Sequence, residues 1–113
     1  MAPIKLITAA SFPSNYFLES LAIRRDNSVL VTSMLHNELW YVPPVTGDVP
    51  VQPSLIRKFC EHTIGIVEVE EDIFYITTRN IYTTNECYLH RINLQQWKPG
   101  MPIKPATAYR FPK

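Results

Sequence analysis

An internal repeat limits the fold of this chain more than any other feature of its sequence. Three pairs of segments align: VLVTS at 29–33 with FYITT at 74–78, LWYV at 39–42 with LHRI at 89–92, and IRKF at 56–59 with AYRF at 108–111. The offset grows from 45 to 50 to 52 residues, which places the extra residues in the later loops of the second copy. The chain of 113 residues therefore contains one structural unit twice.

Each copy has the composition of β-strands. Short runs rich in Val, Ile, Thr, Tyr and Phe alternate with turn residues, and most of the 10 prolines fall between the runs. The pairs Asp26-Asn27 and Glu71-Asp72 separate the first and second run of each copy, a spacing typical of a tight hairpin. We predict eight main strands, at residues 18–25, 28–33, 38–43, 54–59, 64–70, 73–78, 87–93 and 106–111, and a further short strand at 6–12.

A four-stranded unit that recurs every 45 to 50 residues is typical of a β-propeller blade. The predicted fold is therefore all-β: an N-terminal strand at about 6–12, blade one at about 18–59 and blade two at about 64–111. Propellers have about 4–8 blades, so two blades make a propeller that is incomplete within one chain. The alternative is a sandwich of two unrelated meanders.

The charge balance and the hydropathy of the sequence argue against some kinds of partner and some cellular compartments. Lys and Arg (11) nearly balance Asp and Glu (10), and no basic patch favours nucleic acid. No apolar run approaches the roughly 18 residues that span a bilayer, so no membrane partner is expected. The first ten residues lack a signal-peptide core, which predicts a cytoplasmic protein, although a mature secreted form would look the same. Cys60 and Cys87 are expected as reduced thiols rather than as a disulfide.

The two predicted blades resemble a known family. Residues 17–24, 29–33 and 38–42 are similar to the opening blade of fungal six-bladed propellers of the gluconolactonase/regucalcin-like superfamily. Residues 65–69, 73–76 and 88–94 are similar to the second blade of those proteins. The resemblance extends from about residue 7 to residue 111 and implies that the chain corresponds to the N-terminal third of a six-bladed ring.

The resemblance implies two kinds of activity, and the repeat suggests a third role. Some fungal relatives act in natural-product biosynthesis and accelerate cycloadditions, including hetero-Diels–Alder reactions. Regucalcin-like members hydrolyse sugar lactones with a bound divalent metal. A non-catalytic two-blade subunit that oligomerises into a ligand-binding ring is the third hypothesis. Whether the chain is an enzyme, and whether it is a fragment or a natural short protein, stays open at this point.

The expected site lies at one mouth of the propeller channel. Strand alternation brings the entries to the innermost strands (16–20 and 60–65) to the same rim as the loops between second and third strands (33–37 and 78–86). The loop at 78–86 is longer than a usual hairpin connection, which favours ligand contact. The candidate catalytic residues are His62, Arg79 and Tyr82, and the candidate ligand-binding residues are Glu19, Met34, His36, Thr63 and Asn80.

The chemistry of these residue types suggests their roles. His62 could act as an acid or base near neutral pH, or donate a hydrogen bond to a carbonyl. Arg79 and Tyr82 could hold an anionic or enolic oxygen. The alternatives are a loop histidine bonded to backbone, for His62 and His36, and a solvated loop for Arg79 and its neighbours. His90 is interpreted as structural, and both tryptophans as packing residues.

Glu19 is the candidate metal ligand, because a Glu opens the first inner strand in lactonase-type relatives. The other ligands of those proteins come from later blades, and the residues after Glu19 depart from the usual Gly-Pro pair. A divalent metal such as calcium is therefore not favoured, and no cofactor is expected. The expected partners are a small-molecule substrate and either the remaining blades or further copies of this chain, for which a homotrimer would supply six blades.

Overall fold

The computed structural model describes residues 6–111, and every regular element in that range is a strand. No helix within that range could cross a membrane. The strands are β1 (Leu18–Ile23), β2 (Val29–Ser33), β3 (Glu38–Val42), β4 (Ser54–Lys58), β5 (His62–Glu70), β6 (Ile73–Arg79), β7 (Cys87–Asn93) and β8 (Ala106–Phe111).

The strands form two separate four-stranded antiparallel sheets. The N-terminal sheet has the order β1-β2-β3-β4 and the C-terminal sheet the order β5-β6-β7-β8, so each is a simple meander. The predicted all-β class and the eight main strands are confirmed, and each predicted four-strand unit corresponds to one sheet. Hairpin connections between sequential neighbours explain why antiparallel pairing is complete in both sheets.

Some predicted ends and one predicted strand differ from the structure. β1 ends at Ile23 rather than at Arg25, because the Arg24 N–H donates to the Ser28 carbonyl (2.8 Å) and closes a turn with Asn27 at a φ of 70°. The expected strand at 6–12 is not formed. Its backbone is held by a hydrogen bond from the Val51 N–H, in the loop between β3 and β4, to the Ala9 carbonyl (2.7 Å), and it pairs with no strand within residues 6–111.

The sequence repeat is reproduced in atomic detail by two threonines. The Thr32 hydroxyl accepts a hydrogen bond from the Ser20 N–H (3.1 Å), and the Thr77 hydroxyl accepts one from the Gly65 N–H (2.9 Å). Both members of each pair are 45 residues from their counterparts. An added Cβ at Gly65 would lie 3.0 Å from the Thr77 hydroxyl, so a side chain there would require that hydroxyl to move. The two sheets are therefore built from the same local interactions.

The main core lies between the two sheets. Strand alternation turns Leu30 and Tyr41 of the N-terminal sheet towards Phe74 and Ile76 of the C-terminal sheet. Leu30, Phe74 and Ile76 have no exposed surface. The remaining buried members of this cluster are Leu39, Phe59, Ile92, Leu94 and Trp97.

Polar contacts also join the sheets, and together with the core they form what we call the intersheet interface. β5 packs against β1, β2 and β3. The Thr32 hydroxyl donates to the Ile64 carbonyl (2.9 Å), and the buried Arg24 guanidinium bonds to the Asp72 carboxylate (3.0 Å). Buried groups that would otherwise lack partners are satisfied across the interface.

The outward side of each sheet is apolar and only partly covered: on the N-terminal sheet Val31 and Val42 are buried, whereas their neighbours Leu21 and Ile23 are exposed. We call these sides the N-terminal open face (Leu21, Ile23, Val29, Val31 and Val42) and the C-terminal open face (Val67, Tyr75, Leu89, Tyr109 and Phe111), as the strand register assigns them. Leu21, Ile23, Val67 and Tyr109 are each more than half exposed. A segment containing Phe12 folds over part of the N-terminal open face, where its ring contacts Trp40 edge-on (5.5 Å). Contiguous apolar surfaces of this kind usually mark an interface.

Candidate functional site

The segments that enter β1 and β5 and the loops at 33–37 and 78–86 meet at one edge of the two sheets, which we call the candidate rim. The Met34 N–H donates to the Phe17 carbonyl (3.1 Å), and the Phe59 N–H donates to the Asn37 carbonyl (2.6 Å). These bonds tie the β2–β3 loop to the segments that precede β1 and β5. The opposite rim carries the tight turns at 24–28 and 71–72, together with the long loops 43–53 and 94–105.

His62 is the best-placed titratable side chain on the candidate rim. It begins β5 directly opposite Arg79 of β6, and its ring meets the Tyr82 ring edge-on at 5.2 Å. Its Nδ1 lies 3.1 Å from the Met34 carbonyl oxygen. Because a carbonyl only accepts hydrogen bonds, Nδ1 carries the proton and Nε2 is the basic nitrogen of the neutral ring. The three predicted catalytic residues are thus brought together.

The β6–β7 loop is held in shape by its own backbone. The Asn80 N–H donates to the Glu86 carbonyl and the Asn85 N–H to the Asn80 carbonyl, both at 2.9 Å. Arg79 Nε donates to the Asn85 side-chain oxygen (2.8 Å), which orients the guanidinium and leaves its other N–H groups available. Tyr82 is 75% exposed, so its hydroxyl is accessible. The Asn80 side chain instead donates to the Thr84 hydroxyl (3.3 Å) within the loop.

The predicted ligand-binding residues differ in their access to the rim. Thr63 is completely buried at the intersheet interface, where its hydroxyl donates to the carbonyls of Ser33 (3.0 Å) and Glu38 (3.1 Å). Burial removes Thr63 from the side chains that a ligand could contact. The His36 ring stacks on Tyr16 at 4.3 Å and its Nε2 lies 3.3 Å from a backbone carbonyl. The half-buried Met34 supplies the carbonyl that orients His62.

Glu19 does not join the His62 group. It lies at an irregularity in the β1–β2 pairing, and its exposed side chain lines a cavity of about 590 Å³ on the N-terminal open face. The other residues around that cavity are almost all apolar, including Ala10, Phe12 and Val31. No group of three His, Cys, Asp or Glu side chains within residues 6–111 could hold a metal ion. A lone exposed carboxylate does not fit the ligand set that a divalent cation requires.

A polar cluster that the sequence did not indicate lies behind the rim. His90 Nε2 is 3.1 Å from a Glu61 carboxylate oxygen and 3.0 Å from the Thr78 hydroxyl, which itself donates to Glu61 (2.8 Å). The ring packs beside Phe59 at 5.4 Å. The His90 side chain is 12% exposed. Glu61 and His90 are 29 positions apart, so no local pattern could have paired them.

The two cysteines are free thiols, with Cys60 exposed and Cys87 half-buried.

Comparison of the chain with protein-family models, curated protein sequences and solved structures found no match. The assignment to a propeller superfamily therefore remains an expectation from the residues.

Proposed function

We propose that the two sheets are consecutive blades of a β-propeller whose remaining blades complete the ring. Two features support this proposal: the sheets are equivalent meanders that pack face to face, and each leaves an apolar face open on its far side. In a propeller every blade has two covered faces, so two consecutive blades by themselves leave one open face at each end. A sandwich of two sheets would instead leave its outward faces polar.

The proposed ring handles a small organic molecule at the candidate rim. The observation that carries this proposal is the group formed by His62, Arg79 and Tyr82, in which the basic Nε2 of His62 lies on a ring held by the Met34 carbonyl. Polar side chains with fixed hydrogen-bonding roles at the mouth of a channel are a common form of small-molecule binding site. The fitting ligand carries an enolic or carbonyl oxygen.

The same group suits catalysis of a cycloaddition, and we propose a pericyclase-like role of the hetero-Diels–Alder type in natural-product biosynthesis. Arg79 and Tyr82 would donate hydrogen bonds to the carbonyl oxygen of a heterodiene, which gains electron density as the new bonds form. His62 would accept a hydrogen bond from an enol hydroxyl. The reaction forms two σ bonds from π electrons and releases no group, so orientation and polarisation are all that the protein supplies.

Hydrolysis of lactones with a divalent metal is the alternative enzyme function, and the described residues do not fit it. Glu19 lies away from His62 without other carboxylates around it. We therefore derive no step through a metal. The non-catalytic alternative, a ring that only binds its ligand, shares the rim and the open faces with the leading proposal. Turnover of a bound heterodiene is what separates these two.

Ligand binding at the rim can be tested with a simple enolic probe. We expect 4-hydroxy-6-methyl-2-pyrone, titrated into protein with isotope-labelled histidine rings, to shift the NMR signals of His62 and leave those of His90 unchanged. Tyr82→Phe should weaken binding by about 3–10-fold through loss of one hydrogen bond, and Arg79→Ala should weaken it more. Asp26→Ala on the opposite rim is the control and should leave the affinity unchanged. Shifts at His90 alone, or equal effects of all three variants, would refute the proposal.

A further inference from the structure

The internal repeat predicts what covers each open face. With the offset of 45 residues, Tyr75 and Thr77 on the C-terminal open face are the counterparts of Leu30 and Thr32, which face the C-terminal sheet across the intersheet interface. In the same way, Val29 and Val31 on the N-terminal open face are the counterparts of Phe74 and Ile76 on the other side of that interface. The two open faces are therefore the two halves of a second interface of the same kind.

One hydrogen bond defines how the halves would meet. Thr32 bonds to the backbone of its own sheet at Ser20 and donates across the intersheet interface to the Ile64 carbonyl (2.9 Å). Thr77 repeats the first contact at Gly65, but within residues 6–111 it has no acceptor in another sheet. The counterpart of Ile64 is Glu19. By repeat equivalence, the carbonyl that matches Ile64 is the Glu19 carbonyl on the N-terminal open face.

The apolar content of the open faces matches this arrangement. Thr63 and His62 make polar contacts across the intersheet interface, and their counterparts on the N-terminal sheet are Leu18 and Phe17. Leu18 and Phe17 are about half exposed in the single chain, at 48% and 53%. Contact with another copy would replace those hydrogen bonds by burial of large apolar side chains, as is common where subunits associate permanently.

If the two open faces met, opposite charges would face each other at the candidate rim and like charges would face each other at the opposite rim. The end of β6 that carries Arg79 would lie beside the start of β1 that carries Glu19, and neither side chain forms an ion pair within residues 6–111. At the opposite rim, the Arg25–Glu71 pair of the intersheet interface would be replaced by Glu70 facing Asp26. That like-charged pair is at the solvent-exposed edge, where screening keeps its cost small.

We propose that the partner of this chain is a second copy of itself, bound head to tail, with the C-terminal open face of one copy on the N-terminal open face of the next. The proposal rests on the propeller arrangement proposed above. Three copies supply six sheets and close into a ring with threefold symmetry. Closure would bring Glu19 of each copy to the rim of its neighbour, so the site that Arg79 belongs to is complete only in the assembly.

The oligomeric state in solution tests the proposal. Sedimentation equilibrium of the wild-type chain should give about 39 kDa, three times the 13.1 kDa of one chain. Leu21→Glu on one open face and Val67→Glu on the other should each reduce the mass to that of a single chain. Both positions are more than half exposed in the single chain, so the variants should keep wild-type circular dichroism.

Mixing the two variants separates a head-to-tail interface from a symmetric one. The Leu21→Glu protein keeps an intact C-terminal open face, and the Val67→Glu protein keeps an intact N-terminal open face. An equimolar mixture should therefore form a complex of two chains and nothing larger. A symmetric dimer would survive in one of the two variants alone, and that result would overturn the proposal.

The charge arrangement gives a graded check. Glu70→Lys should tighten association by about 3-fold or more at low salt, because a lysine would face Asp26. A monomeric wild-type chain that still binds the pyrone at His62 would refute self-association and leave the rim function intact. A trimer that does not bind the pyrone would support self-association and refute the proposed ligand binding at the rim.

Discussion

The intersheet interface and the two open faces derive from the same repeat but differ in their polar contacts. At the intersheet interface, an apolar core is accompanied by ties such as Thr63 to Ser33 and Arg24 to Asp72. On the open faces the corresponding positions hold Leu18 and Val69, which are apolar and about half exposed. The difference indicates that the repeat gives each sheet face an apolar packing surface. The hydrogen bonds and ion pair made by Thr63 and Arg24 occur where residues of one sheet differ from their counterparts in the other.

Removing a core side chain should show the largest contrast between the two kinds of surface. Phe74→Ala at the intersheet interface should lower the free energy of unfolding by about 3–5 kcal/mol, because the ring is completely buried. Tyr109→Ala on the C-terminal open face should change it by less than about 1 kcal/mol in a dissociated chain, since half of that ring is exposed. Urea unfolding of a Leu21→Glu background, which holds the chain as a monomer, compares the two. Equal losses would contradict the assignment of faces.

The intersheet ion pairs should give the next largest effect. Asp72→Ala should destabilise the fold by about 2–4 kcal/mol, because it leaves the Arg24 guanidinium buried without its carboxylate. Glu71→Ala, one residue away, removes the partner of the exposed Arg25 and should leave the melting temperature nearly unchanged. Thermal melts followed by circular dichroism provide the measurement. A larger effect of Glu71→Ala would mean that the turn, not the interface, dominates.

The first hairpin should contribute the smallest effect, and it should depend on pH. The Ser28 hydroxyl and N–H donate to the Asp26 carboxylate and lower the pKa of Asp26. The ionised carboxylate is therefore favoured by folding. Its stabilisation is present above the pKa of the unfolded chain, near 4, and is lost as the pH falls through the lower folded pKa.

Asp26→Asn should consequently flatten the stability profile below about pH 4 by less than about 1 kcal/mol, and should leave pyrone binding at the candidate rim unchanged. Urea unfolding at successive pH values measures it. Glu70→Gln, at the end of β5, is a control for the general effect of removing one carboxylate. If both variants flatten the profile equally, the hairpin is not the source.

Much of the fold could be predicted because the repeat and the turn residues are local in sequence. The Thr32 and Thr77 positions, 45 residues apart, mark the same place in both sheets. The expected strand at 6–12 was wrong, because this segment has no partner strand within residues 6–111. Its residues instead pass over a sheet face, where Phe12 contacts Trp40.

The site was predictable only in part. Strand alternation assigned His62 and Arg79 to one rim, and in the structure they pair directly because they lie at the ends of neighbouring strands. The burial of Thr63 and the Glu61–His90 contact depend on how one sheet packs on the other, and a single sequence does not show that geometry. Glu19 and Arg79 were assigned to one rim, and in the single chain no contact joins them; in our account a second copy does.

Cross-linking at repeat-equivalent positions tests most directly whether the open faces repeat the intersheet interface. Arg25 and Glu71 touch within one chain (2.8 Å), and their counterparts are Glu70 of one copy and Asp26 of the next. In a background of Cys60→Ser and Cys87→Ser, one protein would carry Glu70→Cys and the other Asp26→Cys. After mixing and treatment with a short bismaleimide, we predict a two-chain product in the mixture and none from either protein alone. No product in the mixture, or equal products from the separate proteins, would contradict the account.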